Sequence, residues 1–301
     1  MSTSGVQLSS QQVSAVSRLF SAAVLRDLSR RAYSDTFSRI VKEVMPSGFV
    51  EPTDRVAHFF NAVFEMLKKP EHRNEYVYKA ALTHKVLLGR HSLKTTAMLS
   101  EFGVGENKAD CVILNGTSAI YEIKSERDSL KRLKQQVEAY RKVSAEVSVI
   151  TGDKHLEKVV DLVPEDVGIL LLTNRYQIST FRKALCNPER TEAEAIFYSI
   201  RLNEVKQIVK NLGIKIPDVP NTKLYGALQE IFTQLEPVTA HDEMVRVLKK
   251  TRSSSSLGDY IHKVPYSLRA VVLSSKSRKS DRERFLRVLD ETVQDLVEVK
   301  V

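Results

Sequence analysis

The chain has 301 residues, which is enough for one large domain or two ordinary ones, since domains usually contain roughly 100 to 200 residues. Hydrophobic residues make up 42% of the sequence and charged residues 28%, a balance that is typical of globular proteins and excludes a disordered or fibrous chain. The formal net charge of +9 creates a field that attracts polyanions, of which nucleic acid is the most common in a cell. The charge therefore favours a nucleic-acid partner.

The two cysteines, Cys111 and Cys186, lack the short spacing that zinc sites require, and they fit a reducing compartment. No apolar run approaches the roughly 18 residues of a membrane span, and residues 1–5 lack the basic flank and apolar block of a secretory signal. We therefore expect a cytoplasmic protein without a membrane anchor. The sequence leaves a homo-oligomer open.

Helical patterning dominates the first part of the chain. Apolar residues recur at helical spacing over 9–44 and again over 56–67, and Pro46 and Gly48 separate the two stretches. These patterns predict one helix over 9–44, a second helix after it, and a helical N-terminal region over residues 1–94.

Short apolar segments bounded by turn residues replace the helical period from about Thr95 onward. The turn at Asn115-Gly116 predicts antiparallel pairing of the early strands, and a helix between the last two strands predicts that these are parallel. The sequence therefore predicts an α/β core over 95–187 with a mixed sheet. The expected strands are 101–104, 109–114, 119–124, 147–151 and 167–173, and the expected helices are 130–140 and 154–162.

Helical periodicity returns over residues 188–301, where prolines and the serine run 253–256 interrupt it. We expect a third, helical and basic region there, with the serine run as a flexible loop. The predicted fold class is thus α/β, with a mixed sheet between helical N-terminal and C-terminal regions.

Two strand residues suggest chemistry. Glu122 and Lys124 lie two apart, so their side chains leave one face of the strand with Cα atoms roughly 6.5 Å apart. If 115–117 form a three-residue loop, counting outward from it places Asp110 opposite Glu122. Their Cβ atoms would then lie about 4.5 to 5.5 Å apart.

Two carboxylates at that distance inside an apolar sheet need a compensating cation. Mg²⁺ or Mn²⁺ prefers oxygen ligands and contacts phosphate oxygens, which suits hydrolysis of a phosphodiester. The sequence therefore predicts Asp110 and Glu122 as metal ligands, with Lys124 placed to hold the attacking water and offset charge on the phosphate. The alternative is an exposed Glu122–Lys124 ion pair on an edge strand, against which Ile120 and Ile123 argue.

Asp110, eleven intervening residues and then Glu122-Ile123-Lys124 resemble the PD-(D/E)xK nuclease superfamily, which has a restriction-endonuclease-like fold. The leading proline of that motif is absent, because Lys108-Ala109 precedes the aspartate. The resemblance implies Mg²⁺-dependent cleavage of nucleic acid, most often DNA. It also implies that Glu101 is the acidic residue that many members carry on the preceding helix, as a further metal ligand.

Gln136 and Tyr140 stand four apart on the expected helix, and they resemble the Gln-x-x-x-Tyr motif of the RecB and lambda-exonuclease branch. The resemblance implies that Gln136 approaches the active site and that Tyr140 packs toward the nucleic acid. Gln135 takes the place of Gln136 if the helix is rotated. A polar and an aromatic residue on an ordinary amphipathic helix are the alternative. The arrangement as a whole is also similar to a small, largely uncharacterised bacterial family.

Residues 201–232 combine a helix, an extended link and a second helix, and this order resembles a SAP-like DNA-binding module. A plain helical hairpin is the alternative. Basic side chains suit contacts to phosphates. The lysines of this segment are Lys206, Lys210, Lys215 and Lys223.

The function expected from these patterns is a Mg²⁺-dependent deoxyribonuclease. Two alternatives stay open, namely a catalytically inactive nucleic-acid-binding or interaction module on the same fold, and an RNase of the toxin or defence type. Nothing in the residues separates DNA from RNA, or endonuclease from exonuclease action.

Overall fold

The computed structural model describes residues 8–90 and 92–298. Two compact units divide them, one formed by the residues up to Thr83 together with those from Ser256 onward, and the other by residues 84–255. The helices are α1 (Ser10–Ser17), α2 (Ala22–Arg31), α3 (Asp35–Val44), α4 (Val56–Leu67), α5 (Glu75–Ala81), α6 (Leu88–Arg90), α7 (Leu133–Arg141), α8 (Leu156–Leu162), α9 (Ala193–Ser199), α10 (Leu202–Asn211), α11 (Asn221–Thr233), α12 (Pro237–Thr251), α13 (Gly258–Lys263), α14 (Arg269–Ser274), α15 (Lys279–Asp290) and α16 (Val293–Glu298), with a π-helix over Leu82–Leu87. The strands are β1 (Ala97–Val104), β2 (Asn107–Asn115), β3 (Thr117–Lys124), β4 (Glu146–Thr151), β5 (Gly168–Leu172) and β6 (Ile178–Arg182).

The first of these units, the helical unit, starts with short helices in place of the single helix expected over 9–44. Serine residues start the new helices within 9–44, because a serine hydroxyl at a helix N-cap accepts from a backbone N–H that has no partner inside the helix. The Ser21 hydroxyl accepts from the Val24 amide at 3.3 Å, and the Ser34 hydroxyl accepts from the Phe37 amide at 3.4 Å. Hydrophobic spacing continues across these breaks, which is why it conceals them.

Aromatic rings fill the helical unit and join its two chain segments. Phe20 stacks on Tyr76 with ring centroids 4.6 Å apart, and the ring of Phe64 meets that of Tyr266 at 6.1 Å. The Tyr76 hydroxyl donates to the Ser267 carbonyl. Residues from Ser256 onward therefore pack on the N-terminal helices, and the chain passes from one compact unit to the other after Thr83 and again before Ser256.

The second unit, the sheet unit, contains the mixed sheet that the sequence predicts. Its strands run in the order β1-β2-β3-β4-β5-β6. The pairs β1–β2, β2–β3 and β5–β6 are antiparallel, whereas β3–β4 and β4–β5 are parallel. The helices α7 and α8 make the two parallel crossovers, so the expected α/β architecture is confirmed. The strand β6 is an addition to the expected set.

The hairpin between β2 and β3 turns at Gly116, whose φ of 77° lies in the left-handed region that glycine tolerates best. Leu114 pairs with Ser118, as counted from the sequence. The paired ladder continues to Cys111 and Tyr121. On its other side β3 pairs with β4 from Ala119 to Lys124.

The β1–β2 hairpin is irregular at Glu101, which has a φ of 54°. In β1 the residues that join the core of the sheet unit are Ala97 and Leu99 before this point and Phe102 and Val104 after it. A regular strand would keep one parity, so the strand changes faces at Glu101. Residues Ser100 and Phe102 pair with Cys111 and Ala109, which leaves Glu101 at the level of Asp110.

Helices α7 and α9 to α12 share one hydrophobic core with the sheet. The segment expected to be SAP-like does form a helix, an extended link and a helix, as α10 and α11 with the link between them. Val205, Ile208 and Leu228 of these helices are buried in that common core, so the segment is part of the sheet unit. Among the described residues, no helix has the length and apolar content needed to cross a membrane.

Candidate active site

Four of the side chains singled out in the sequence meet where β3 ends and α7 begins. Glu122 and Lys124 leave the same face of β3, and the Lys124 ammonium donates to Glu122 Oε1 at 2.7 Å. The same ammonium donates to Gln136 Oε1 at 2.9 Å. The hydroxyl of Tyr140, one turn along α7, lies 3.0 Å from Glu122 Oε2. We call these four residues the acid–lysine cluster.

Burial distinguishes this cluster from a surface ion pair. Glu122 is 2% exposed, the Lys124 side chain is 9% exposed, and Tyr140 is fully buried. The strand that carries the pair is internal to the sheet, with β2 on one side and β4 on the other. The alternative of an exposed Glu122–Lys124 ion pair on an edge strand is therefore wrong.

Burial shifts the pKa values of the ionisable groups in the cluster. Removal from water raises the pKa of Glu122, and the Lys124 cation opposes that rise. Burial and the neighbouring Glu122 carboxylate raise the pKa of Tyr140, so its phenol keeps its proton. That single proton faces two acceptors, Glu122 Oε2 at 3.0 Å and the Lys108 carbonyl at 2.8 Å. Tyr140 therefore ties the start of β2 to the acid of β3.

Asp110 lies beside this cluster but does not continue the ladder. Its Oδ2 atom accepts a hydrogen bond from the Ile123 amide at 2.7 Å, which supplies the acceptor that a ladder partner would otherwise provide. The aspartate is half-buried, whereas Glu101 is exposed. One carboxylate oxygen of Asp110 and one of Glu101 lie within 4.8 Å of each other. Glu101 stands within β1, and not on the preceding helix that the resemblance implies, because this strand begins earlier than expected, at Ala97.

The expected metal ligands can be compared with what Mg²⁺ requires. This ion holds oxygen ligands at about 2.0 to 2.1 Å, so two oxygens that share it lie no more than about 4.2 Å apart. Asp110 and Glu101 come close to that separation, and both offer the hard oxygens that Mg²⁺ prefers. Within the described part of the chain, Glu122 does not join them at the same spacing, because Lys124 and Tyr140 hold its two oxygens.

The contacts of α7 show which of its two glutamines, Gln135 or Gln136, faces the acid–lysine cluster. Gln136 reaches the acid–lysine cluster. Gln135 instead lines a surface groove with Glu106, Asn107 and Tyr198. The spacing of Gln136 and Tyr140 therefore brings both residues onto the face of α7 that covers Glu122.

The lysines expected to contact phosphate lie on α10, on the link that follows it and at the start of α11. Lys206 is half-buried, and Lys210, Lys215 and Lys223 are exposed. Within the described ranges none of the four forms an ion pair with a carboxylate, so their charges are not locally neutralised. All four lie on elements that follow the sheet in the chain.

A buried polar chain was not foreseen from the sequence. The Ser118 hydroxyl lies 2.8 Å from His241 Nε2, and His241 Nδ1 lies 2.9 Å from Asp242 Oδ1. The order serine, histidine, aspartate is that of a hydrolase triad, but Ser118 and His241 are each 1% exposed, and Ser118 Oγ accepts from the Ala145 amide at 3.1 Å. This series of hydrogen bonds therefore anchors α12 to the sheet. Ser118 and His241 are 123 residues apart, and no local sequence signal connects them.

Comparison with known proteins places the chain in a family. The fold and the cluster define a mixed α/β protein with a buried acid–lysine pair under a helix. The chain belongs to the bacteriophage P4 protein cII family, whose model matches residues 68–288. Protein cII of Enterobacteria phage P4 is 22% identical over 178 residues, which cover 57% of this chain and 66% of that protein, just under two thirds of its length. No solved structure matches the chain.

Proposed function

We propose that the sheet unit is a Mg²⁺- or Mn²⁺-dependent nuclease that hydrolyses phosphodiester bonds in DNA. The observation that carries this proposal is the convergence of Glu122, Lys124, Gln136 and Tyr140, with Asp110 on the adjoining strand. A buried acid with a raised pKa beside a cation is a feature of functional sites more often than of surfaces. The net charge of +9 supports a polyanionic substrate.

In this proposal Asp110 and Glu101 would hold the metal ion through carboxylate oxygens. Glu122 would join them as a third ligand by giving up its contact with Lys124 or with Tyr140. When bound, the ion supplies Lewis-acid activation of the phosphate and of water. Lys124 holds the attacking water with its ammonium and offsets the charge that grows on the phosphate oxygens. Gln136 orients Lys124 through its side-chain oxygen, and Tyr140 fixes the Glu122 carboxylate.

The nucleic acid would lie along the basic helices that follow the sheet. Lys206, Lys210, Lys215 and Lys223 supply charges that no carboxylate neutralises among the described residues. Contacts of this kind fix the position of a strand without reading its sequence. A SAP-like mode of DNA binding for α10 and α11 belongs to this proposal as well.

The decisive experiment measures Mg²⁺-dependent cleavage of single-stranded DNA, duplex DNA, nicked DNA and RNA. We expect Asp110→Asn and Lys124→Gln to lose about a hundredfold or more in rate, the usual range for one electrostatic or proton-transfer group. Asp161→Asn is the matched control, because Asp161 is an exposed aspartate of α8 in the same unit. Equal rates for wild type and Asp110→Asn would refute the assignment, and preferential cleavage of RNA would redirect it to an RNase.

A catalytically inactive nucleic-acid-binding or interaction module is the second candidate. The observation in its favour is that both Glu122 oxygens already have protein donors, at 2.7 Å from Lys124 and 3.0 Å from Tyr140. A buried ion pair of this type suits a structural role. Salt-dependent DNA binding without cleavage in Mg²⁺, Mn²⁺ or Ca²⁺ would support this candidate over the nuclease.

We also propose a cytoplasmic location. Both cysteines are free thiols, and that of Cys186 is exposed. Exposed thiols persist in reducing compartments and oxidise elsewhere. Fractionation of host cells that produce the protein tests this proposal, and recovery of the protein from membranes or from the medium would contradict it.

A further inference from the structure

The helical unit contains a small pocket with a cationic rim, apart from every residue assigned to the nuclease proposal. It has a volume of about 260 Å³ and lies between α2, α14 and the start of α15. Small-molecule sites usually measure roughly 300 to 1,000 Å³. The pocket is therefore large enough for one small chemical group but smaller than most sites for whole small molecules.

Three cationic side chains line the pocket, and one carboxylate accompanies them. Arg26 and Arg30 come from α2, Lys276 comes from the loop before α15, and Asp281 stands in the first turn of α15. In the described part of the chain, Arg26 and Lys276 form no ion pair or side-chain hydrogen bond. Arg30 lies 4.0 Å from Asp281, which is the outer limit of an ion pair. The rim thus keeps an excess of positive charge.

Hydroxyl groups also line the pocket. Ser275 and Ser277 line the pocket on the loop that carries Lys276. The Ser275 hydroxyl oxygen is shielded from solvent, and it has no hydrogen-bond partner within the described ranges. A buried polar atom of this kind is rare in folded proteins, and a bound water or anion is a common explanation for it. A group with several acceptor oxygens would satisfy the serine and the cations together.

We propose that this pocket binds a phosphate group. Phosphate has the charge that the rim attracts and the acceptor oxygens that guanidinium, ammonium and hydroxyl donors need. Asp281 offsets one of the positive charges, and its Oδ2 atom accepts from the Arg278 amide at 3.2 Å in the first turn of α15. Three cations therefore still outweigh one carboxylate in the pocket lining. The phosphate comes either from a nucleic-acid backbone or from a free anion such as inorganic phosphate or a mononucleotide.

The test uses isothermal titration calorimetry of the full chain with inorganic phosphate at constant ionic strength. We expect saturable binding to wild type and at least tenfold weaker binding to Arg26→Gln, Lys276→Gln and Ser275→Ala. Arg39→Gln is the matched control, because Arg39 is an exposed arginine on α3, away from the pocket lining. Lys276 is exposed and lies in a loop, so its variant retains the fold even if another does not.

A second measurement distinguishes the two sources of phosphate. Fluorescence anisotropy of a labelled single-stranded oligonucleotide, in EDTA to prevent cleavage, gives the affinity as a function of salt. If the pocket takes a backbone phosphate, Lys276→Gln lowers the slope of log K against log salt by about 0.7. If oligonucleotide binding is unchanged while phosphate binding is lost, the ligand is a free anion. Absence of phosphate binding to wild type, or equal weakening in Arg39→Gln, overturns the proposal whatever the outcome at the sheet unit.

Discussion

Substitution of Lys124 by methionine removes the cation that balances the buried Glu122 carboxylate. The ammonium lies 2.7 Å from Glu122 Oε1, and both side chains are almost fully shielded from water. Loss of one partner of a buried ion pair costs about 3 to 5 kcal/mol. The matched variant Lys131→Met removes an exposed lysine and should cost well under about 1 kcal/mol. Urea unfolding followed by circular dichroism measures both.

The pH dependence of the same variant tests the cause. Burial already raises the pKa of Glu122, and Lys124 holds it down, so Lys124→Met raises that pKa further. A carboxyl whose folded pKa lies above its unfolded value stabilises the fold below the unfolded pKa and loses that contribution as pH rises through the folded pKa. The penalty of Lys124→Met should therefore shrink from pH 8 to pH 5.

A double variant provides the control. Glu122→Gln with Lys124→Met removes both charges, so much of the lost stability should return. Hydrogen exchange of residues 117–124 should show faster opening in Lys124→Met than in the double variant. A penalty that is independent of pH, or equal to that of Lys131→Met, would mean that the pair is hydrated and that our account of the cluster is wrong.

Three further predictions concern the sheet unit. Burial lowers the pKa of His241. The stability that the neutral imidazole contributes is therefore present above the unfolded pKa near 6.5 and is lost as the pH falls below that value. The difference in unfolding free energy between wild type and His241→Gln should narrow from pH 7 to pH 5. Glu204→Gln removes a buried carboxylate that accepts two hydrogen bonds from Arg252, at 2.8 and 2.6 Å. The free energy of unfolding, measured with urea, should fall by about 3 kcal/mol. A change near zero would contradict the burial of this ion pair. Gly168→Ala places a Cβ 2.8 Å from a backbone nitrogen and should cost about 1 to 3 kcal/mol. By contrast Gly226→Ala, in an open position of α11, should stabilise by up to about 1 kcal/mol, and equal shifts in Tm for the two alanine variants would contradict this.

The direction of the first five strands could be predicted because short-range features determine it. A glycine turn at Gly116 makes one pair antiparallel, and crossover helices make the next two parallel. The pairing of Leu114 with Ser118 follows from the same turn. β6 has neither signal, since its residues are exposed or half-exposed without alternation, and its place in the sheet depends on β5.

The candidate site was predictable in part for the same reason. Glu122 and Lys124 share a strand, and Gln136 and Tyr140 share a helix face, so local periodicity places each pair. Asp110 was placed opposite Glu122 by assuming that the β2–β3 ladder continues, but the paired residues stop at Cys111 and Tyr121, and the Asp110 side chain accepts from the Ile123 amide instead. The positive φ of Glu101 on β1 was not foreseen either. No propensity or spacing marks a glutamate for a positive φ.

Long-range packing is the part that sequence periodicity does not contain. The helices from Ser256 onward have the same amphipathic pattern as α9 to α12. Only the contacts show that one set covers the sheet and the other covers the N-terminal helices. Amphipathic patterns indicate that a face is buried, but not which partner buries it.

Because the helical unit is assembled from two separate stretches, its N-terminal helices emerge from the ribosome well before the segments that complete them. The intervening stretch, residues 84–255, is continuous, so it has every residue of its own core as soon as it is synthesised. Until Tyr266 and Ser267 arrive, the rings of Phe64 and Tyr76 lack partners that they have in the finished protein. A chain released at residue 255 is therefore expected to combine a folded sheet unit with uncovered aromatic rings of the helical unit, a kind of surface that chaperones recognise.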